Sequence, residues 1–483
     1  MRVLHVASEV APFAQSGGLA DVLAGLPAAE AHGHGLEVAV LVPLYRGVAE
    51  RVAEAGVTLV PGPTFALAVG VHTFEVAIHV AQIGRVRHGF LDCPPLYDRP
   101  GGLYGPHATG EFRDNHLRFA ALGKAALHAD SLLGGPPDVL HLHDWQSCVA
   151  AIYARLASHP ARIVATIHNL AFRGIFPKTV MTELGIPWSL FTTEVAEFYD
   201  QVSFLKAGLA LADAVTTVSP SYAREILTPE RGEALDGFLR WNVQRLVGIV
   251  NGIDDVAWDP ATDPALPAAY SRRDPAGKAR CRAALADAAG LPIADDEPLI
   301  GVIARMSDQK GLDLVADIVP ELARIGARLV VLGAGEPALE QRFQWLGEVF
   351  REHVAVHIGF DGALARRIYA GSDVFAMPSR FEPCGLGQLY AMRYGAIPVV
   401  HAVGGLRDTV IDPGDAELAR GRGTGVRFTS ATPLSFALGL ARAARLFRDP
   451  AVRKTVIDAA MARDSSWTAS AQQYVQLYRS LSK

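Results

Sequence analysis

Short, mostly apolar, β-branched runs alternate with helix-period segments along this chain, and the alternation starts afresh halfway through. Val3–Ala7, Glu37–Val42, Val139–Leu142, Ile163–Ile167 and Ala214–Val218 are such runs in the first half. Leu299–Ala304, Arg328–Leu332, Val354–Ile358, Val374–Met377 and Ile397–Val400 follow in the second. Strands with no polar alternation are buried on both faces, which is the condition of a parallel sheet covered by helices. Helical segments are predicted between them. Leu19, Val22, Leu23 and Leu26 fall on one helix face, and Ser219-Pro220 supplies an N-cap and a first-turn proline. Further helices are expected at Leu312–Ile325, Pro337–Val349, Ala363–Ala370 and Leu386–Tyr394. The pattern predicts an α/β chain with two Rossmann-like domains.

At 483 residues the chain is long enough for two or three cores. The domains are expected to span residues 1–246 and 247–465, with the Pro/Ala/Asp-rich stretch Asp259–Tyr270 just after the junction. The tail Trp467–Leu481 is helix-compatible and suits either domain. A net charge of -5 excludes a strongly basic nucleic-acid or membrane-binding surface. The N-terminus enters a strand pattern directly, with no signal-peptide h-region, and no apolar stretch approaches the ~20 residues of a membrane span. Cys93, Cys148, Cys281 and Cys384 are widely spaced, which fits free thiols in a reducing cytoplasm better than disulfides or a zinc clip.

Open parallel sheets bind ligands in loops at the carboxyl ends of their strands, and two such domains suit an interdomain cleft. Five loops stand out. The first is Glu9–Asp21, where Ser16-Gly17-Gly18 precedes a helix. Two glycines and a helix N-terminus can hold an anion, although a bare Gly-Gly pair is more often a tight turn. The second carries His141, His143 and Asp144. The two histidines share a strand face, but no third ligand stands at an obvious spacing, so a metal is the weaker reading. Asp144 suits a hydroxyl-rich ligand. The third loop carries His168, which alone reads as a packed residue or as a cleft residue.

The fourth loop, Arg305–Gly311, presents Arg305 and Lys310, either a diphosphate clamp or two exposed cations. The fifth, Pro378–Gln388, places Glu382 beside Gly385-Leu386-Gly387 at a helix start. Gly404-Gly405 offers another close backbone approach, and Gly333-Ala334-Gly335 reads as a routine strand–helix turn. No GxGxxG fingerprint or P-loop is present, which argues against a nicotinamide dehydrogenase.

In this order QSGGLADV, HLHDW, TIHNLAF, SFLKAG, VSPSYAREI, VNGID, the Arg305–Gly311 loop and SRFEPCGL resemble the bacterial glycogen synthases and plant starch synthases. The resemblance runs from Met1 to Ser465–Trp467. It implies a GT-B fold with no cofactor and no catalytic metal. It also implies retaining transfer of glucose from ADP-glucose to the 4-hydroxyl of an α-1,4-glucan, such as glycogen or a maltooligosaccharide. Neither nucleic acid nor membrane is an expected partner. The C-terminal segment 466–483 would join the first, acceptor-side domain, leaving 247–465 as the donor side.

By motif position, Gln15, Gly17, Gly18, Leu19, Asp21 and Asn251 would bind ADP-glucose, together with Arg305, Lys310, Cys384, Gly385, Leu386 and Gly387. Tyr104 and Asp144 would face the acceptor, and His168, Glu382, Arg305, Lys310 and Asp144 would serve catalysis. Two positions depart from the family pattern. Gln15 stands where a lysine is usual, and Gly387 where a threonine is frequent. A Gln15 amide donates a hydrogen bond but brings no charge to the phosphates. Transfer from UDP-glucose and a non-catalytic glucan-binding role are the competing readings.

Overall fold

The computed structural model describes residues 1–106 and 110–481. Its chain divides into two units, Met1–Gly252 with the C-terminal helix Trp467–Leu481, and Ile253–Ser466. Residues 482 and 483 of the predicted tail lie outside the described residues.

In the first unit the apolar runs form β1 (Arg2–Val6), β2 (Glu37–Pro43), β6 (Val139–His143), β7 (Arg162–Ile167) and β11 (Ala214–Thr217). Between β2 and β6 lie β3 (Thr64–Val69), β4 (His72–Ile83) and β5 (Val86–Asp92). Three short strands, β8 (Ile175–Pro177), β9 (Glu197–Phe198) and β10 (Gln201–Ser203), pair in a small separate sheet. With β12 (Leu246–Gly248) the main sheet has nine strands in the order β12-β11-β7-β6-β1-β2-β5-β4-β3. Pairing is parallel from β12 to β5 and antiparallel through β5-β4-β3. Because β12 belongs to this sheet, the unit runs on to Gly252.

The antiparallel meander is absent from the sequence-based reading. Its outer strand TFALAV is apolar in sequence but alternates between buried and exposed residues, and its partners HTFEVAIHVAQI and VRHGFLD are interrupted by polar residues, so they lack the apolar signature. The legible signal lay in the turns. Gly70-Val71 and Gly84-Arg85 are two-residue links, and Gly70 and Gly84 have φ of 58° and 56°, the positive φ such hairpins require.

The helix Gly18–Gly33 follows β1 and buries Val22, Leu23 and Leu26. Across it lies Trp467 of the terminal helix. A Cβ on Gly25 would fall inside the Trp467 indole, so only glycine admits this crossing. Gly25→Val is expected to cost about 1–3 kcal/mol by overpacking, read as a lower Tm in thermal unfolding.

The second unit contains β13 (Leu299–Ile303), β14 (Arg328–Gly333), β15 (Val354–Ile358), β16 (Val374–Met377), β17 (Ile397–His401) and β18 (Val426–Phe428). Their order is β15-β14-β13-β16-β17-β18, all parallel. The expected helix Leu312–Ile325 is instead Leu312–Ile318, a 3-10 turn Val319–Glu321, and Leu322–Ile325. Pro320 lacks the N–H needed to carry an α-helix through. Its neighbour Pro337–Val349 forms as predicted.

The parallel strands of each large sheet reverse their winding once. In the first unit the reversal lies between β1 and β6, and in the second between β13 and β16. Loops at the carboxyl ends of those strands flank the crevice where open α/β sheets bind ligands. Those loops carry Glu9–Gly18 and Asp144 in one unit, and Arg305–Lys310 and Ser379–Gly387 in the other.

Candidate active site

In the first unit the loop after β1 is organised by a residue to which sequence reasoning assigned no role. Glu9 is buried, and its Oε2 accepts from the Ser16 N–H at 2.6 Å and the Gly17 N–H at 3.2 Å. Oε1 accepts from the Ser16 hydroxyl at 2.6 Å and from the Tyr104 hydroxyl. The protein's own carboxylate therefore occupies the first N–H groups of the Gly-Gly loop. Those of Gly18 and Leu19, in the first turn of the following helix, have no acceptor among the described residues. Tyr104 also shares a hydrogen bond with Ser8 at 2.8 Å, so its hydroxyl braces this loop.

Gln15 and Gly17 are exposed. The Gln15 amide donates to Asp21 Oδ1 at 3.4 Å. Burial pushes the Asp21 carboxyl up to about 6, against the Gln15 hydrogen bond and with help from the Glu9 charge. Asn251 is buried, and its Oδ1 has no partner among the described residues.

Asp144 opens the helix after β6 at φ 57°, in the left-handed region. Its Oδ1 accepts from the His168 N–H at 2.7 Å and the Asn169 N–H at 3.4 Å. One carboxylate thus ties the loop after β7 to the end of β6. Burial drives the Asp144 carboxyl up to about 7, offset by those two N–H groups. Burial also holds the His168 imidazole down to about 3, so at neutral pH it is uncharged.

His141 and His143 are joined by a third histidine, His5 of β1, with one ring nitrogen of each within 4.8 Å of the others. Sequence spacing hid it, because β1 and β6 become neighbours only in the sheet. All six ring nitrogens of the three already have partners: Glu30, Tyr478, Thr166, His168 and one another. A cation there would have to displace those hydrogen bonds.

In the second unit the loops after β13 and β16 are stitched together. The Arg380 N–H donates to the Gln309 carbonyl at 2.9 Å, and the Arg380 guanidinium grips Asp313 through two bonds of 2.7 and 2.6 Å. Gly311, at φ 64°, lies so close to the Pro378 carbonyl that no Cβ fits. Lys310 Nζ reaches Glu382 Oε2 at 2.7 Å, and the Ser379 hydroxyl donates to the same oxygen at 3.0 Å. Arg305 is exposed and has no hydrogen bond or ion pair among the described residues. The two cations therefore differ: one is held by Glu382, the other is available.

Two glycine motifs that read as ordinary turns or ligand approaches have structural partners. A Cβ on Gly333 or Gly335 would strike the Ala304 or Met306 carbonyl, so this turn seats the Arg305 loop. Gly404 and Gly405 approach the Glu382 and Cys384 carbonyls in the same way. Cys384 is buried and forms no disulfide, Gly385 has φ 76°, and Leu386 caps the helix Gly387–Arg393. Gln388, unremarked in the sequence, donates through Nε2 to the Cys384 and Gly385 carbonyls at 3.1 and 2.8 Å. A Cβ on Gly387 would meet Met377 Sδ at 3.2 Å and Phe375 Cε1 at 3.3 Å, which makes a threonine there a tight fit.

A glycogen synthase of Anaeromyxobacter dehalogenans is 47% identical over 488 residues, covering 100% of both chains. The chain belongs to the glycogen synthase family. The starch synthase catalytic domain family matches residues 2–241, and the group 1 glycosyl transferases match residues 297–440. The catalytic domain of starch synthase IV from Arabidopsis thaliana, solved with ADP and acarbose, superposes with a TM-score of 0.89 at 32% identity, covering 100% of this chain and 99% of that one. A sucrose-phosphate synthase from Thermosynechococcus elongatus, 18% identical with a TM-score of 0.59 over 99% and 98% of the chains, shares the fold. As a member of this family the protein is a GT-B glycosyltransferase of glycogen synthesis. Among the described residues no helix is long and apolar enough to cross a membrane.

Proposed function

We propose that this member of the family transfers glucose from ADP-glucose to the 4-hydroxyl at the non-reducing end of an α-1,4-glucan, with retention at the anomeric carbon and release of ADP. The observation that carries this reading is the content of the switch-point loops. One unit offers an unpartnered guanidinium and a Lys310–Glu382 pair. The other offers the unpartnered Gly18 and Leu19 N–H groups and Asp144, to which the neutral His168 of the loop after β7 is tied.

The chemistry needs a stabilised leaving diphosphate and an acceptor held on the face that the diphosphate leaves. It does not need two free carboxylates flanking the bond, as in glycosidases. Arg305 and Lys310 bind the diphosphate charge and stabilise it as the anomeric C–O bond breaks. The Gly18 and Leu19 N–H groups, with the Gly17 turn, add to that neutralisation. Cys384, Gly385, Leu386 and Gly387 present backbone to the donor, while Asn251, Asp21 and Gln15 complete its surroundings. Asp144 and His168 accept hydrogen bonds from sugar hydroxyls, and Tyr104 supports the acceptor region through Glu9. Glu382, paired with Lys310 at 2.7 Å, orients the donor glucose. In this reading the first unit serves the acceptor side and the second the donor side, and the chemistry uses no metal.

Incorporation of glucose into glycogen by the pure protein, compared between ADP-glucose and UDP-glucose, tests the reading. Elongation from ADP-glucose supports it; elongation from UDP-glucose alone overturns the donor assignment. Gln15→Lys is expected to lower the KM for ADP-glucose about 3- to 10-fold with little change in kcat, because a cation then stands where only an amide does. An unchanged KM would show that the missing charge is supplied elsewhere.

A further inference from the structure

Behind His168 runs a buried chain of hydrogen bonds that no catalytic assignment above uses. His168 Nε2 meets His143 Nδ1 at 2.9 Å, and His143 Nε2 meets His5 Nδ1 at 3.0 Å. His5 Nε2 meets Glu30 Oε2 at 2.8 Å. Glu30 Oε1 accepts from the Tyr478 hydroxyl at 2.9 Å, and that hydroxyl meets His141 Nδ1 at 2.7 Å. His141 Nε2 continues to Thr166 Oγ1 at 2.6 Å, and Thr166 to Thr216 at 2.6 Å. His5, Glu30, His141, His143, Thr166, Thr216 and Tyr478 are all fully buried. Water therefore does not compete for these bonds.

We infer that His5, Glu30 and His143 form a positioning relay that fixes which ring nitrogen of His168 carries the proton. The direction follows from the chemistry of the end group. A carboxylate only accepts, and a neutral imidazole has one N–H and one lone pair. His5 therefore donates from Nε2 to Glu30, which leaves its Nδ1 to accept from His143 Nε2–H. The Nδ1 of His143 then accepts from His168 Nε2–H. His168 is left with a bare lone pair on Nδ1, which has no partner among the described residues.

The second arm runs the same way. Thr216 donates to Thr166, Thr166 to His141, His141 to the Tyr478 oxygen, and Tyr478 to Glu30. Both arms end on one carboxylate, so every donor in the network has an acceptor. Burial holds the His143 and His141 rings well below the ordinary imidazole range, which keeps them neutral as the relay requires. The backbone of His168 is pinned separately by Asp144. The relay thus presents His168 as an acceptor for a sugar hydroxyl, and in this respect it rests on the functional reading above.

The test combines ring-nitrogen NMR with kinetics on the full-length protein. Histidine labelled with 15N in the ring, assigned by comparison with His168→Asn, reports the tautomer of His168 without any substrate. The expected result is Nε2–H in the wild type and loss of that preference in His5→Phe. The same variant is expected to lose ~10-fold or more in kcat, with the KM for ADP-glucose within about twofold. His5→Asn, whose Oδ1 stands near the lost Nδ1, is expected to restore the tautomer and most of the kcat.

A wild-type His168 protonated on Nδ1 overturns the relay, and that measurement stands even if the variants do not fold. So does a His5→Phe enzyme with lowered Tm but unaltered tautomer and kcat, which would mark a purely structural cluster. Because the tautomer is read without turnover, a correct tautomer shift in a protein that does not elongate glucan would refute the proposed reaction and leave the relay intact.

Discussion

Asp144→Asn is expected to stabilise the protein at alkaline pH while it lowers activity about 10- to 100-fold. Three observations combine. The carboxyl is nearly buried, its charged form is disfavoured with a pKa raised from 3.8 to about 7, and its backbone sits at φ 57°. A raised carboxylate pKa means that the folded state binds the proton more tightly than the unfolded chain. The stability linked to that proton is complete below about pH 4 and is lost as pH rises through about 7. Wild-type stability should therefore fall across this window, by an amount of the order of a few kcal/mol.

Asparagine has no charge to bury, tolerates the left-handed region, and its Oδ1 can accept from His168 and Asn169 as the aspartate does. The Tm advantage of Asp144→Asn should be small at pH 5 and largest near pH 8. A scan of Tm against pH for both proteins checks this. Activity should fall because a carboxylate-to-hydroxyl hydrogen bond is worth ~1.5–3 kcal/mol, lost when the acceptor becomes an amide. A pH-independent difference in Tm would show that Asp144 does not titrate in the folded state.

Arg305→Ala is expected to lower kcat by about 10²- to 10³-fold, the usual cost of removing one group that stabilises transition-state charge. Its Tm should not change, because the side chain is exposed and makes no ion pair or hydrogen bond among the described residues. Lys310→Ala should lose comparable activity but also unfold at a lower temperature. It strips the partner from Glu382, a buried carboxylate whose ion pair spans 2.7 Å. Arg305→Lys should recover only part of the lost rate, since an ammonium cannot match two phosphate oxygens at once. Equal Tm losses in both alanine variants would contradict the distinction between a held and an available cation.

The parts of this protein that were legible in sequence share one property. β1, β6, β7, β13 and β16 are central parallel strands, apolar along most of their length, and the loops after them carry the candidate site residues. A strand buried on both faces announces itself, and so does the loop that ends it. The meander β3–β5 was missed because its residues face partly outward, although its glycine turns carried the information. β18 is three residues long and presents no pattern to read.

Among the candidate site residues, Asp144, His168, Arg305, Lys310 and Glu382 stood out as polar residues at strand ends. Their supports were not. Glu9 takes the N–H groups of the glycine loop from eight residues away, and Tyr478 meets Glu30 across a sequence separation of 448. Glu30 lies on a helix otherwise read only for its apolar face. Spacing along the chain cannot show such partners; they exist only once β1, β6 and the terminal helix are packed.

The most direct measurement of the central claim is the stoichiometry and linkage of the product. Pure protein is incubated with ADP-glucose labelled in the sugar and with glycogen, and released ADP is counted against incorporated glucose. One ADP per incorporated glucose is predicted, with the label freed by a hydrolase that cuts α-1,4 bonds from non-reducing ends. ADP release without incorporation, or label resistant to that hydrolase, would contradict the assignment.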